Sequence, residues 1–180
     1  MYGIVNQAIQ GLIIENYGHE TWKKVLDKSE LNISFFLSNE AYDDAVTFKL
    51  AQSISEIANT PLNEVLIAFG EYWVLKTGVE KYGSLMKAGG SNLKDFLMNL
   101  PNFHNRIMLL YPKLTPPEFE VSNIEHNSIH VHYKSTREGL KDFVIGLLQG
   151  LGKMYATTIS IELINSIAAG DNHEIFKVSW

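Results

Sequence analysis

Three polar residues on alternate positions, Tyr133, Ser135 and Arg137, follow the alternating run Ile129-His130-Val131-His132. In an extended strand, residues two apart share a face. Two hydroxyls and one guanidinium can therefore converge on a single ligand. Two neutral donors beside a fixed cation suit a carboxylate or a phosphate, which Arg grips through two parallel bonds. The plainer reading is an Arg folded back over its own strand end. The binding reading gains from a histidine upstream in helical sequence and an apolar helix immediately downstream.

That histidine is His104, in Leu100-Pro101-Asn102-Phe103-His104-Asn105-Arg106-Ile107-Met108. A helical His among apolar residues is a packed core imidazole or, if neutral, an axial ligand for a haem. The other five histidines offer less. His19, His126 and His173 fall in turns or helix starts and read as solvated. His130 and His132 share one strand face, with no third metal ligand evident. Asp43-Asp44 reads as a solvated helix face. The run Gly146-Leu147-Leu148-Gln149-Gly150-Leu151-Gly152 lies inside helical sequence and lacks the strand–turn–helix context of a phosphate loop. Its glycines instead let something bulky approach the helix. There is no Gly-x-Ser-x-Gly elbow and no His-Glu-x-x-His zinc pair.

The elements that must position these residues fall into two halves. The first two-thirds read as helix. Ile4, Val5, Ala8, Ile9, Leu12 and Ile13 form a stripe ending near Gly18. Further helices are predicted at about Glu20–Asp27 and Glu40–Asn59. Another starts at the Thr60-Pro61 cap and carries Leu62, Val65, Leu66, Phe69, Tyr72 and Trp73. The segment Asn92–Leu100 precedes a Pro101 turn that holds His104. Beyond Pro112, Pro116 and Pro117 the period changes from helical to alternating. Strands are predicted at Phe119–Asn123 and Ser128–Lys134, then a helix at Gly139–Tyr155. Two more strands follow at Thr157–Ile164 and Glu174–Trp180. Hairpin links imply an antiparallel sheet and an α+β class.

Composition bounds the possibilities. The 180 residues are 46% hydrophobic and 19% charged, which suits one domain with a real core. The formal charge of −5, with no run of one sign, argues against nucleic-acid and polybasic membrane partners. The absence of cysteine excludes disulfides and thiolate-bound metals. The first residues are neither a signal peptide nor a membrane span, so the expected compartment is the cytoplasm.

Several separate stretches resemble one family. They are Met1-Tyr2-Gly3, Phe69-Gly70-Glu71-Tyr72-Trp73, His104, Thr115-Pro116-Pro117, Tyr133-x-Ser135-x-Arg137 and the Gly146–Gly150 helix. Together they resemble the haem nitric oxide/oxygen-binding (H-NOX) domains, which include the haem domain of soluble guanylate cyclase. The likeness spans the chain and is strongest to stand-alone bacterial, especially cyanobacterial, members.

The resemblance implies a single sensor domain over residues 1–180, with one haem b between a helical half and a sheet half. His104 would be the axial ligand, and Tyr133, Ser135 and Arg137 would hold the propionates. Pro117 would press on the porphyrin, with Val5, Ile9, Trp73, Phe143 and Leu147 completing the pocket. Phe143 stands where oxygen-binding members carry a Tyr donor. The resemblance therefore implies a sensor of nitric oxide and carbon monoxide that excludes oxygen. The resemblance further implies that it would not be an enzyme and would signal in trans to a histidine kinase or a cyclic-di-GMP enzyme through movement of the His104 helix. The alternative is a non-haem module for a carboxylate or lipid, retaining the Tyr-Ser-Arg triplet without a metal.

Overall fold

A computed structural model describes residues 1–110 and 117–180. Helix α1 (Gly3–Tyr17) stops at Gly18, whose φ of +82° few other residues adopt. Helix α2 (His19–Ser29) folds back on α1. Helix α3 (Asp44–Ala58) begins four residues later than its apolar pattern suggested. The side chain of Asp43 accepts from the Ala45 N–H at 2.8 Å and so caps the helix. Asp43 is thus the start signal of α3, an exposed cap and not a residue of the helix face.

Helix α4 (Leu62–Tyr72) runs without a break into a π-helix, Trp73–Gly78, and then α5 (Val79–Gly89). Sequence periodicity gave no hint of the π segment. Helix α6 (Leu93–Leu110) contains Pro101 in its interior. The expected turn at Pro101 is therefore absent, and His104 sits well inside a continuous helix. Proline removes one helical hydrogen bond, but tertiary packing of Phe96, Leu97 and Leu100 before it and of Phe103 after it holds the helix.

The second half is a four-stranded antiparallel sheet in the order β1 (Glu118–Ser122), β2 (Ser128–Lys134), β4 (Glu174–Ser179), β3 (Ser160–Asn165). Helix α7 (Lys141–Met154) follows β2. Alternation places Phe119, Ile129, Val131, Tyr133, Phe176 and Val178 on the buried face. His130, His132 and Lys134 take the half-exposed face. The α+β class expected from the sequence is the one observed. Among the described residues no helix is long and apolar enough to cross a membrane.

Two buried clusters result. One joins α6, α7 and the sheet; the other joins α1–α4. Trp73 and Phe143 pack against both. Helices α4 and α7 cross at backbone contact. A Cβ on Gly70 would lie 2.2 Å from the Phe143 carbonyl, and one on Gly146 would lie 2.1 Å from the Ile67 carbonyl. What the glycines of α7 admit at this crossing is the backbone of α4.

Candidate ligand-binding cavity

A cavity of about 240 Å³ lies where the two clusters meet. Its walls come from α1, α3, α4, the π-helix, α5, α6, β2 and α7, so neither half encloses it alone. The walls are overwhelmingly apolar, including Ile4, Leu66, Phe69, Phe96, Leu148 and Leu151.

His104 lines this cavity from α6. Its Nδ1 lies 3.2 Å from the Leu100 carbonyl one turn earlier. A carbonyl only accepts, so Nδ1 carries the proton and Nε2 keeps its lone pair. The ring lies against Phe119, with centroids 4.5 Å apart, and edge-on to Phe103 at 5.6 Å. Burial among apolar groups pulls the imidazole down to about 4, opposed only in part by the Leu100 carbonyl. It is half-buried by surface area, but the space it meets is the apolar cavity. At neutral pH His104 is therefore an unprotonated nitrogen base in a low-dielectric chamber.

Tyr133 and Arg137 also line the cavity. Between them, Ser135 does not reach its wall. It instead accepts from the Arg137 backbone N–H at 3.0 Å and hydrogen-bonds the Tyr133 hydroxyl. Arg137 Nε donates to Asp44 Oδ2 at 2.7 Å, which fixes the plane of the guanidinium. The same carboxylate pairs with the Met1 amino group. Burial would raise the Asp44 carboxyl, but these two cations outweigh it and hold it below its usual range. Across the sheet, Glu174 is buried directly opposite Tyr133. Burial raises the Tyr133 phenol, Ser135 and Arg137 lower it, and Glu174 raises it further.

Trp73, Phe143, Leu147, Val5 and Pro117 line the remaining wall. Phe143 stacks at a tilt on Phe69, centroids 4.7 Å apart. Ile9 lies behind the wall, fully buried in the helical cluster. Thr115 and Pro116 lie outside the described residues. Sequence reasoning passed over Phe103 and Phe119, the two rings that hold His104. Phe119 pairs with Tyr133 in the β1–β2 register, and alternation alone could have placed it on the cavity side.

The remaining histidines diverge from expectation at one point. His19 and His126 are exposed. His173 is half-buried, and its Nε2 lies 2.9 Å from His132 Nδ1, while His132 Nε2 lies 2.7 Å from Ser122 Oγ. Among the described residues no group of three or more His, Asp or Glu could hold a metal ion.

The family model described as Haem-NO-binding matches residues 2–163. The chain belongs to this Haem-NO-binding family. Over its whole length it is 29% identical to the soluble guanylate cyclase gcy-33 of Caenorhabditis elegans. It is 25% identical over 94% of its length to soluble guanylate cyclase 89Db of Drosophila melanogaster. It spans only 19% and 26% of those two proteins, respectively. Among solved structures, an H-NOX protein from S. oneidensis in the Fe(II)NO ligation state superposes with a TM-score of 0.88. That match has 20% identity and covers 99% of this chain and 98% of the other. The Haem-NO-binding fold thus accounts for the helical half, the sheet and the cavity between them.

Proposed function

We propose that residues 1–180 form a single sensor domain that holds a b-type haem in this cavity. It binds nitric oxide and carbon monoxide there and excludes oxygen. The observation that carries the reading is His104: an unprotonated imidazole with its Nε2 lone pair uncommitted to the Leu100 carbonyl, on the wall of an apolar cavity. The other polar groups of that wall fit the rest of such a ligand. Tyr133 and Arg137 suit its carboxylates, and the apolar walls suit its ring.

Bound there, a ferrous haem supplies an iron centre that takes up diatomic gases. His104 would ligate through Nε2, with Nδ1–H anchored on Leu100. Tyr133 and Arg137 would hold the propionates, and Ser135 would orient both through its two hydrogen bonds. Pro117 and Leu147 would bear on the ring. Val5, Trp73 and Phe143 would line the gas side, where Phe143 offers no hydrogen-bond donor. Bound oxygen needs such a donor more than nitric oxide or carbon monoxide does, because its oxygens carry negative charge.

The chain's own output would be motion of α6, which carries His104 and packs on β1 and β2. A partner in trans, a histidine kinase or a cyclic-di-GMP enzyme, would read that motion. The domain itself would catalyse nothing.

The deciding experiment is a visible spectrum of purified protein supplied with haem. A Soret band with about one iron per chain is expected. Nitric oxide and carbon monoxide should shift it under nitrogen, and air should give oxidation to ferric without a stable oxy form. Phe143→Tyr should lengthen the life of an oxy form. Colourless protein after haem supplementation would favour the carboxylate-binding module instead. A long-lived oxy spectrum from the unmutated chain would refute oxygen exclusion.

A further inference from the structure

The helix over the gas side of the cavity changes pitch where α4 ends at Tyr72 and the π-helix Trp73–Gly78 begins. A π-helix has poorer geometry than an α-helix and persists where its surroundings hold it. Trp73, Val74 and Gly78 of this segment line the cavity. Helix α7 packs along the segment, and the polar contacts to Tyr72 and Lys76 on either side of Trp73 come from α1. A Cβ on Gly11 would lie 2.7 Å from the Tyr72 hydroxyl, so the glycine leaves room for the phenol to rest on α1. One turn further along α1, Glu15 takes a hydrogen bond from Tyr72 and pairs with Lys76 at 2.8 Å. Tyr72 precedes Trp73 and Lys76 follows it by three residues, so Glu15 holds the helix on both sides of that indole. Burial and Glu15 push the Tyr72 phenol up to about 12, which keeps it a donor at neutral pH.

We propose that Gly11, Glu15, Tyr72 and Lys76 are a positioning clamp that fixes the π-helix and sets Trp73 against the gas side of the cavity, so that they govern gas release and leave haem retention unchanged. The second half of this statement rests on the haem reading above; the first half does not. An exposed ion pair contributes little to stability, so loss of the clamp acts on the position of Trp73 more than on folding.

The test uses the full chain labelled with 5-fluorotryptophan. It contains three tryptophans, Trp22, Trp73 and Trp180, and Trp73→Phe assigns the line that matters. In Tyr72→Phe and Glu15→Gln the Trp73 fluorine line should shift or broaden, with the other two lines and the melting temperature unchanged. Gly11→Ala should act in the same direction. In the haem-loaded protein the same variants should keep wild-type haem content. They should change carbon monoxide release by about two- to tenfold, the range one hydrogen bond spans. An unmoved Trp73 line in both Tyr72→Phe and Glu15→Gln overturns the clamp, as does a shift of all three lines together. Unchanged gas release alongside a moved line overturns its role in release. A wild-type protein with no Soret band would sink the haem reading, and the fluorine spectra would still decide the clamp.

Discussion

At the scale of single residues, His104 and Arg137 divide the work between a neutral base and a fixed cation. His104 is neutral because burial makes its protonated form costly, and the Leu100 carbonyl selects its tautomer. His104→Gly should therefore lose protein-bound iron, and imidazole added to fill the space should restore it. Native ferrous spectra from that variant without imidazole would refute the assignment. In the proposed haem site Arg137 would act through a bidentate fork, with Asp44 bonded to its Nε. Losing a charge-assisted hydrogen bond costs about 1.5–3 kcal/mol, or roughly ten- to a hundredfold in haem retention. Haem transfer to apomyoglobin should be fastest from Arg137→Ala and intermediate from Arg137→Lys; equal rates in all three proteins would remove the propionate role. Both residues stood out in the sequence, His104 for its apolar helical setting and Arg137 for its place in an alternating triplet, and both lie on the cavity wall. The indirect part of Ser135 and the aromatic bracket around His104 were not legible there, because both depend on which strands become neighbours.

At the scale of elements, most helices and all four strands followed from periodicity, and the misses share a cause. The Pro101 turn, the π-helix and the late start of α3 are places where local preference and tertiary packing disagree, or where one cap outranks an apolar stripe. The glycines of α7 were legible as points of close approach, but not what approaches. Their role makes a prediction. Gly146→Ala would drive a methyl into the Ile67 carbonyl, and overpacking of this kind costs about 1–3 kcal/mol. Gly83→Ala in α5 meets nothing within 4 Å and should be neutral or stabilising by up to about 1 kcal/mol. Urea titrations of the two variants should separate them. Equal midpoints would mean that the α4–α7 crossing gives way at no cost.

At the scale of the whole molecule, stability should depend on the pair that ties β2 to the turn before β4. Burial, then the neighbouring His173, lowers the His132 imidazole below the usual 6.5, with Glu120 opposing and Lys134 and His130 assisting. The unfolded chain therefore binds a proton on His132 more readily than the folded chain does. The pair's contribution is fully present above pH 6.5 and is lost as pH falls through the lowered folded value. The wild-type melting temperature should fall by about 2–4 °C more than that of His173→Gln between pH 7.5 and 5, as loss of about 1 kcal/mol implies for a domain of this size. Parallel pH profiles for the two proteins would remove the pair as the cause.

The crossing of α4 with α7 has a consequence for the order of events during synthesis. The early helices emerge from the ribosome long before α7, which supplies Phe143, Val144, Leu147, Leu148 and Leu151 to the cavity wall. Until those residues arrive, Gly70 faces no partner and the chamber has an open side. Ligand capture is then a late step that waits for α7 to be made. A nascent chain stalled before α7 would expose the greasy lining of an unfinished pocket. In a cell short of haem, the burden on chaperones would fall on that interval of translation.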